Sequence, residues 1–172
     1  MAYWLLKSEG SCYSIDDLAR DKRTAWTGIR NFQARNYMRD GMNVGDQAFF
    51  YHSSGTPRDP SGIYGIAQIV GMAHIDETAL DPKDEHYDAE MAKAYKEINQ
   101  GPVPRSPELA KGIVGWVAVD IDFVKKFDTP ILLADLKRDA ALSQMLVLQR
   151  GQRLSVMPVT EEEWGRVLEI KK

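Results

Sequence analysis

The sequence has a single cysteine, Cys12, among its 172 residues. A lone cysteine excludes an internal disulfide bond and a zinc site built from several thiolates, and it suits a reducing compartment. Positive charge is also scarce, because 22 Lys and Arg residues stand against 25 Asp and Glu residues, for a net charge of -3. A protein coated in positive charge for gripping duplex phosphates is therefore excluded, and any contact with nucleic acid must be local.

Long hydrophobic runs are missing as well. The first apolar run begins at Tyr3 and stops at Lys7, which is too short for a signal sequence or a membrane span. We therefore expect a soluble protein of the cytoplasm, or of the nucleus if the source is a eukaryote, with no membrane partner. The length predicts one domain over residues 1–172, and we take a monomer as the default.

The sequence lacks the usual signatures of catalysis and metal binding. Three histidines fall in three different predicted elements, none with a partner at ligand spacing: His52, His74 and His86. There is no glycine-rich phosphate loop and no nucleophile elbow. The carboxylates near the motifs below are Asp16 and Asp17 at a helix start and Asp46 in a turn. We therefore predict no catalytic residue, no metal and no cofactor.

Strand patterns outnumber helix patterns, and the helices are short. Strands are predicted at 3–7, 47–52, 63–72, 116–123 and 153–157, and helices at 14–19, 29–40, 88–98, 133–137 and 160–168. Gly65 inside the third strand indicates a bulge or a close approach of another backbone. The pattern predicts an α+β fold, with helices around a small, curved, mixed or antiparallel sheet or a barrel.

One stretch of the chain is locally basic. Between positions 20 and 39 lie six basic residues and one acid: Arg20, Lys22, Arg23, Arg30, Arg35, Arg39 and Asp21. Asn31, Arg35 and Arg39 recur every four residues and would share one face of the predicted helix. Charge alone fits both a solvated helix face and a grip on phosphates.

Trp26 stands at a glycine-bearing turn just before this helix. An indole beside arginines suits base stacking, which is worth roughly 1–3 kcal/mol per base. The same position also suits a core tryptophan that caps the sheet. Under the stacking interpretation, we expect Trp26→Ala to abolish binding and to leave the melting temperature nearly unchanged.

Eight segments and a tryptophan follow one another in a familiar order. They are YWLLKSE, WTGIRN, QARN, GD, FYHS, GIYGIA, WVAVD and RLSVMP, followed by Trp164. Together they span about residues 2 to 170 and resemble the EVE domain family. The resemblance implies a single EVE domain with a PUA-like fold, a small curved β-barrel with short flanking helices. The family is similar to YTH domains, which read N6-methyladenine in an aromatic cage, and more distantly to base-flipping SRA domains. It thus implies non-enzymatic binding of a modified base in DNA or RNA.

The resemblance also implies site residues. Lys7-Ser8 matches the start of the YTH pattern, Trp26 matches its first cage tryptophan, and Asn31 matches the asparagine that bonds the base. The expected base contacts are Ser8, Trp26, Asn31, Tyr51, Ser53, Leu154 and Ser155. The expected phosphate contacts are Lys7, Arg30, Arg35 and Arg39.

The sequence departs from the family pattern at three points. Gly10 replaces a proline, which we expect to loosen the chain after the first strand. The loop at 53–60 is longer than expected. The second cage aromatic has no sure counterpart, and Tyr87 or Tyr95 from the polar segment 76–113 are the candidates. Two other functions stay open: an enzyme acting on nucleic acid, such as a nuclease or an RNA-modifying enzyme, and a sensor of free nucleosides.

Overall fold

The structure is a computed structural model that describes residues 1–98 and 115–170. The strands are β1 (Tyr3–Ser8), β2 (Arg23–Trp26), β3 (Gln47–His52), β4 (Gly62–Ile69), β5 (His74–Ile75), β6 (Val117–Leu132) and β7 (Val156–Val159). The α-helices are α1 (Ile15–Asp21), α2 (Phe32–Asn36), α3 (Ala89–Ile98), α4 (Leu133–Arg138) and α5 (Glu161–Ile170). A π-helical turn, Tyr37–Gly41, follows α2 directly. No helix in the described part of the chain is long and apolar enough to cross a membrane.

The strands form one mixed sheet in the order β2-β6-β4-β3-β1-β7, and β5 pairs with β6. Strands β1 and β3 run parallel, and the other neighbours run antiparallel. This arrangement confirms the α+β prediction. The predicted closed barrel is wrong, because within residues 1–98 and 115–170 the end strands β2 and β7 do not pair with each other. A cavity, described below, lies where the two ends of the sheet face each other.

The buried core lies between the sheet and the helices. Its largest fully buried side chains include Leu5 and Leu6 from β1 and Phe49 and Phe50 from β3. Strand β6 extends nine residues past the predicted end at position 123, because its second half pairs with β4. The predicted close approach at Gly65 is confirmed, since a Cβ there would collide with the carbonyl oxygen of Lys125.

Local signals place several helix ends correctly. Ser14 and Asp17 form a capping box at α1, and Thr160 and Glu163 form another at α5. The helix predicted at 29–40 instead begins at Phe32 and gives way to the π-helical turn after Asn36. The wider π turn takes Arg39 off the face that a continuous α-helix would have given it. The predicted helix at 88–98 is confirmed as α3, and the rest of segment 76–113, from residue 99 onward, lies outside the described residues.

The glycine that replaces the family's proline and the longer loop form one structural unit. The Gly10 N–H donates to Ser54 Oγ at 3.0 Å and to Asp59 Oδ2 at 3.2 Å, which a proline could not do. Asp59 also accepts a hydrogen bond from the buried His52. Partial burial opposes ionisation of Asp59, but the hydrogen bonds from Ser54 and His52 outweigh it and lower the pKa of Asp59. The expected loosening of the chain is therefore wrong, because the loop at 53–60 holds the chain at Gly10.

Gly10→Ala should lower the free energy of unfolding by about 1–3 kcal/mol, because its Cβ would collide with the Asp59 carboxylate and overpack the site. The matched control is Gly165→Ala in α5, where a Cβ meets nothing within 4 Å. That change should raise the stability by up to about 1 kcal/mol through helix propensity. Urea unfolding followed by circular dichroism measures both. A Gly10→Ala protein as stable as the parent would contradict the close contact between Gly10 and the loop.

Candidate functional site

A cavity of about 400 Å³ lies between β1 and β2. Its lining residues are Lys7, Ser8, Cys12, Tyr13, Thr24, Ala25, Trp26, Thr27, Gly28, Ile29, His86 and Ser155. One end of the sheet contributes β2, and the other contributes the end of β1 and the residue before β7. The Lys7 N–H donates to the Ser155 carbonyl at 2.7 Å, which holds the two parts of this second wall together. The gap in the sheet thus forms a cavity that could accept a ligand.

The structure brings four of the predicted site residues together around this cavity: Lys7, Ser8, Trp26 and Ser155. Four of the predicted base contacts do not line the cavity: Leu154, Tyr51, Ser53 and Asn31. Leu154 and Tyr51 are buried in the core, and Ser53 is exposed past the end of β3. Leu154 is buried although Ser155 lines the cavity, because the side chains of neighbouring residues point in opposite directions along an extended chain.

Asn31 has a structural role at the start of α2. Its Oδ1 accepts hydrogen bonds from the N–H groups of Gln33 at 2.9 Å and Ala34 at 3.1 Å, so it is the N-cap. It does not line the cavity. The amide oxygen that was expected to bond a base is therefore engaged with the helix, and its contact with a base stays a prediction.

Arg30 is fully engaged inside the protein. Its five N–H groups donate to the Asp76 carboxylate, the Thr78 hydroxyl, and the carbonyl oxygens of Ile29 and His86. The bond to Asp76 is 2.7 Å long, and Asp76 is completely buried. A guanidinium has five donors and no more. Arg30 therefore has no N–H left for the phosphate that the sequence assigned to it.

Asp76 connects this ion pair to the cavity wall. Its second partner is the Gly28 N–H, at 2.9 Å, and its other oxygen accepts from the Thr78 N–H and hydroxyl. Gly28 has a positive φ of 77° and packs against the imidazole of His86 so closely that a Cβ would lie 2.9 Å from Nε2. The Arg30–Asp76 pair therefore positions the turn after Trp26 and the segment that carries His86.

The remaining basic residues of this stretch are mostly neutralised in the fold. Arg20 pairs with two acids on α1, Arg23 pairs with Asp122 of β6, and Arg39 pairs with Asp40. The local excess seen in the sequence is thus offset by acids inside or next to the basic stretch and by the distant Asp122. Arg35 differs from these arginines because its side-chain hydrogen bonds go to the neutral amide of Asn36.

Lys7 is the cation at the cavity itself. Its ammonium lies 5.9 Å from the centre of the Tyr51 ring, and burial lowers the pKa of Lys7. Across the described ranges, no carboxylate pairs with it and no acceptor takes a hydrogen bond from it. A half-buried ammonium in that position can receive an anionic group of a ligand.

Trp26 lies in the core, as one of the two interpretations of the sequence predicted, and its stacking on a base stays a prediction. Only 6% of its surface is exposed, and its ring meets Phe50 edge to face at 5.5 Å between ring centres. It also lines the cavity. Its indole N–H is buried and has no partner in the part of the chain that the structure describes. Trp26 is therefore a core residue with one wall turned to the site.

Sequence reasoning missed two aromatic residues of the cavity. Tyr13 precedes α1, and its hydroxyl donates to Asp21 at 3.0 Å. His86 comes from the polar segment that was expected to supply Tyr87 or Tyr95. Tyr95 is instead a buried residue of α3, and Tyr87 does not line the cavity. Adjacency to Tyr87 is the one signal for His86 that the sequence offers. Among the described residues, no group of three His, Cys, Asp or Glu side chains could hold a metal ion.

Comparison with known proteins places the chain in a family. The sequence model of the EVE domain matches residues 2–170. Human thymocyte nuclear protein 1 is 36% identical over 190 residues, which cover 99% of this chain and 74% of that protein. A crystal structure of a Pseudomonas syringae protein is 42% identical, with a TM-score of 0.81, and covers 99% of this chain and 100% of that one.

A second solved structure contains a ligand. Human thymocyte nuclear protein 1, in complex with DNA containing 5-methylcytosine, superposes with a TM-score of 0.78 at 33% identity and covers 100% of this chain and 98% of that one. Both the sequence match and the structural matches run over nearly the whole chain. This chain therefore belongs to the EVE domain family, as the ordered motifs in its sequence implied.

Proposed function

We propose that this protein is a non-enzymatic reader that binds a modified nucleobase of DNA in the cavity between β1 and β2. The observation that carries the proposal is the cavity itself, with its indole wall and unpaired ammonium, on a fold whose human relative is seen with 5-methylcytosine DNA. Its volume of about 400 Å³ lies within the roughly 300–1,000 Å³ of typical ligand pockets.

The side chains around the cavity suit a base swung out of its stack. Trp26 supplies a flat apolar wall for stacking. The hydroxyls of Ser8 and Ser155 can donate to or accept from the base edge. Lys7 supplies the charge for a flanking phosphate, which positions the nucleotide and carries no sequence information.

The free edge of β2 adds hydrogen-bonding groups of another kind. β2 pairs with β6 on one side, and in the described residues no strand pairs with its other side. Thr24 and Ala25 of this edge line the cavity. Backbone N–H and C=O groups on an edge strand are available to a ligand. They can bond a planar base edge much as they would bond another strand.

Selectivity for the modification should be modest. One buried methyl group contributes about 0.8 kcal/mol, which corresponds to about a fourfold preference for 5-methylcytosine over cytosine. Fluorescence anisotropy with paired oligonucleotides that differ only at this base measures the preference. Equal affinity for both oligonucleotides would contradict the reader function.

Lys7→Gln provides the matching test at the protein. It should weaken binding and reduce the slope of log Kobs against log salt concentration by about 0.9 for duplex DNA, because one phosphate contact is lost. Lys137→Gln, an exposed lysine on α4, is the control and should leave both unchanged.

Incubating labelled DNA and RNA with the protein, with and without divalent metal, tests the enzymatic alternative. Turnover of the substrate would overturn the non-enzymatic part of the proposal. Salt-independent binding of a free nucleoside, as tight as that of the oligonucleotide, would instead point to a nucleoside sensor.

A further inference from the structure

Two aromatic side chains are exposed among the described residues, and Phe32 is the more exposed of them. It is 65% exposed, although it sits at the first position of α2. One of its ring faces stacks on Trp116, with ring centres 5.1 Å apart and planes 21° apart. The rings form a short stack whose outer face, on Phe32, is exposed and can stack on a planar group of a ligand.

Arg35 lies against the same two rings. Its guanidinium carbon is 5.0 Å from the centre of the Phe32 ring and 5.9 Å from that of Trp116. Arg35 is only 9% exposed, and its Nε and Nη2 donate to the Asn36 side chain. Within residues 1–98 and 115–170 it forms no ion pair, and its Nη1 has no acceptor. A buried guanidinium without an anion is costly, so this site is suited to receive one.

Two acids line this site, Asp88 and Glu90, and the carboxylate of Asp88 is engaged in hydrogen bonds. A cavity of about 300 Å³ lies beside Phe32, Arg35 and Trp116, and α3 supplies its other wall. Asp88 accepts the N–H groups of Glu90 and Met91 and the indole N–H of Trp116. These bonds lower the pKa of Asp88 and hold its carboxylate at the helix start. It makes no ion pair with Arg35.

This second site lies next to the first. The guanidinium carbon of Arg30 lies 5.5 Å from the centre of the Trp116 ring. The same guanidinium donates to the carbonyl oxygen of His86, and His86 lines the first cavity. The Arg30 side chain therefore lies between the two sites, and Phe32 comes three residues after the cavity residue Ile29.

We infer that the surface of Phe32, Arg35 and Trp116, hereafter the Phe32 platform, binds the nucleotide adjacent to the recognised base. Its base stacks on the free face of Phe32, and its phosphate is held by the free N–H groups of Arg35. An exposed aromatic ring beside a guanidinium is the combination that proteins use for single-stranded nucleotides. The inference rests on the proposed function, since it needs the first base in the first cavity.

A cycle of four measurements tests the platform. The ligand is a short single strand with 5-methylcytosine at its centre, intact or with the base removed from one neighbouring nucleotide. Removing the neighbouring base on one of the two sides should weaken binding by the parent protein by about tenfold. The same removal should have no effect on Phe32→Ala, because the stacking partner is already gone. Val124→Ala, an exposed apolar residue on β6, is the control and should behave as the parent does.

Arg35→Gln adds a second readout. The slope of log Kobs against log salt concentration should fall by about 0.7 for a single strand, because one phosphate contact is lost. Circular dichroism confirms that each variant is folded before binding is measured.

Unchanged affinity of Phe32→Ala for the intact strand overturns the inference and leaves the proposed function standing. Equal affinity of the parent protein for strands with 5-methylcytosine and with cytosine at the centre overturns the proposed function. A change in oligomeric state of Phe32→Ala with unchanged affinity assigns the platform to a contact between copies and also overturns the inference.

Discussion

Trp26→Ala is expected to lower the free energy of unfolding by about 3–5 kcal/mol and to remove binding of the modified base. The sequence alone led to the expectation of a nearly unchanged melting temperature, and the burial of Trp26 supports the opposite prediction. Trp26 is 6% exposed and packs against Phe50, so its removal opens a cavity in the core. The loss of binding has a separate cause, since the indole is also the wall on which a base would stack.

A paired design separates these two effects. Trp164 is equally buried, at 6% exposed, and it stacks on Phe49 away from the cavity. Trp164→Phe and Trp26→Phe should destabilise the protein by comparable amounts. Only Trp26→Phe should weaken binding, measured by anisotropy at a temperature where both variants are fully folded. Equal affinity of the two variants would assign Trp26 to the core alone.

Arg30→Gln is expected to cost about 3–5 kcal/mol of stability, because it leaves the completely buried carboxylate of Asp76 without its cation. The matched control is Arg23→Gln, which breaks the exposed pair with Asp122 on β6. Exposed pairs contribute about 0–1 kcal/mol, so this variant should unfold at nearly the parent's urea concentration. A larger loss of stability in Arg30→Gln than in Arg23→Gln would show that burial of the ion pair causes the difference.

The same variant tests which role Arg30 has in binding. If Arg30 positions Gly28 and His86, folded Arg30→Gln should bind more weakly with an unchanged salt dependence. A contact with phosphate, as the sequence suggested, would instead reduce the slope by about 0.9 for duplex DNA. A reduced slope with unchanged stability would show that the internal hydrogen bonds of Arg30 matter little.

The features that could be predicted from the sequence have causes within a few residues. The capping hydroxyls Ser14 and Thr160 and the alternation at the start of β6 each depend on near neighbours, and the structure agrees with them. The ordered motifs placed Lys7 and Trp26 at the cavity. The family resemblance implied a barrel. Strand patterns could not correct this, because they do not show whether the two end strands of a sheet pair with each other.

The arginines could not be assigned in the same way. Arg30 finds Asp76 46 residues further along the chain, and Arg23 finds Asp122 99 residues away. A local count of charge contains no information about such partners. His86 was missed for a related reason, since it is fixed by the carbonyl bond to Arg30 and by contact with Gly28.

The gap between the ends of the sheet has a consequence for the parts of the chain that the site requires. Strand β1 pairs with β3 on one side, and on its other side it pairs with β7 through Tyr3 and Val159, which lie far apart in the sequence. The cavity is lined by both Lys7 and Ser155, so under the proposed function a chain that lacks Ser155 and β7 should not bind a base. A ligand bound across the gap ties β2 to β1, and it should slow hydrogen exchange of amides at both ends of the sheet at once.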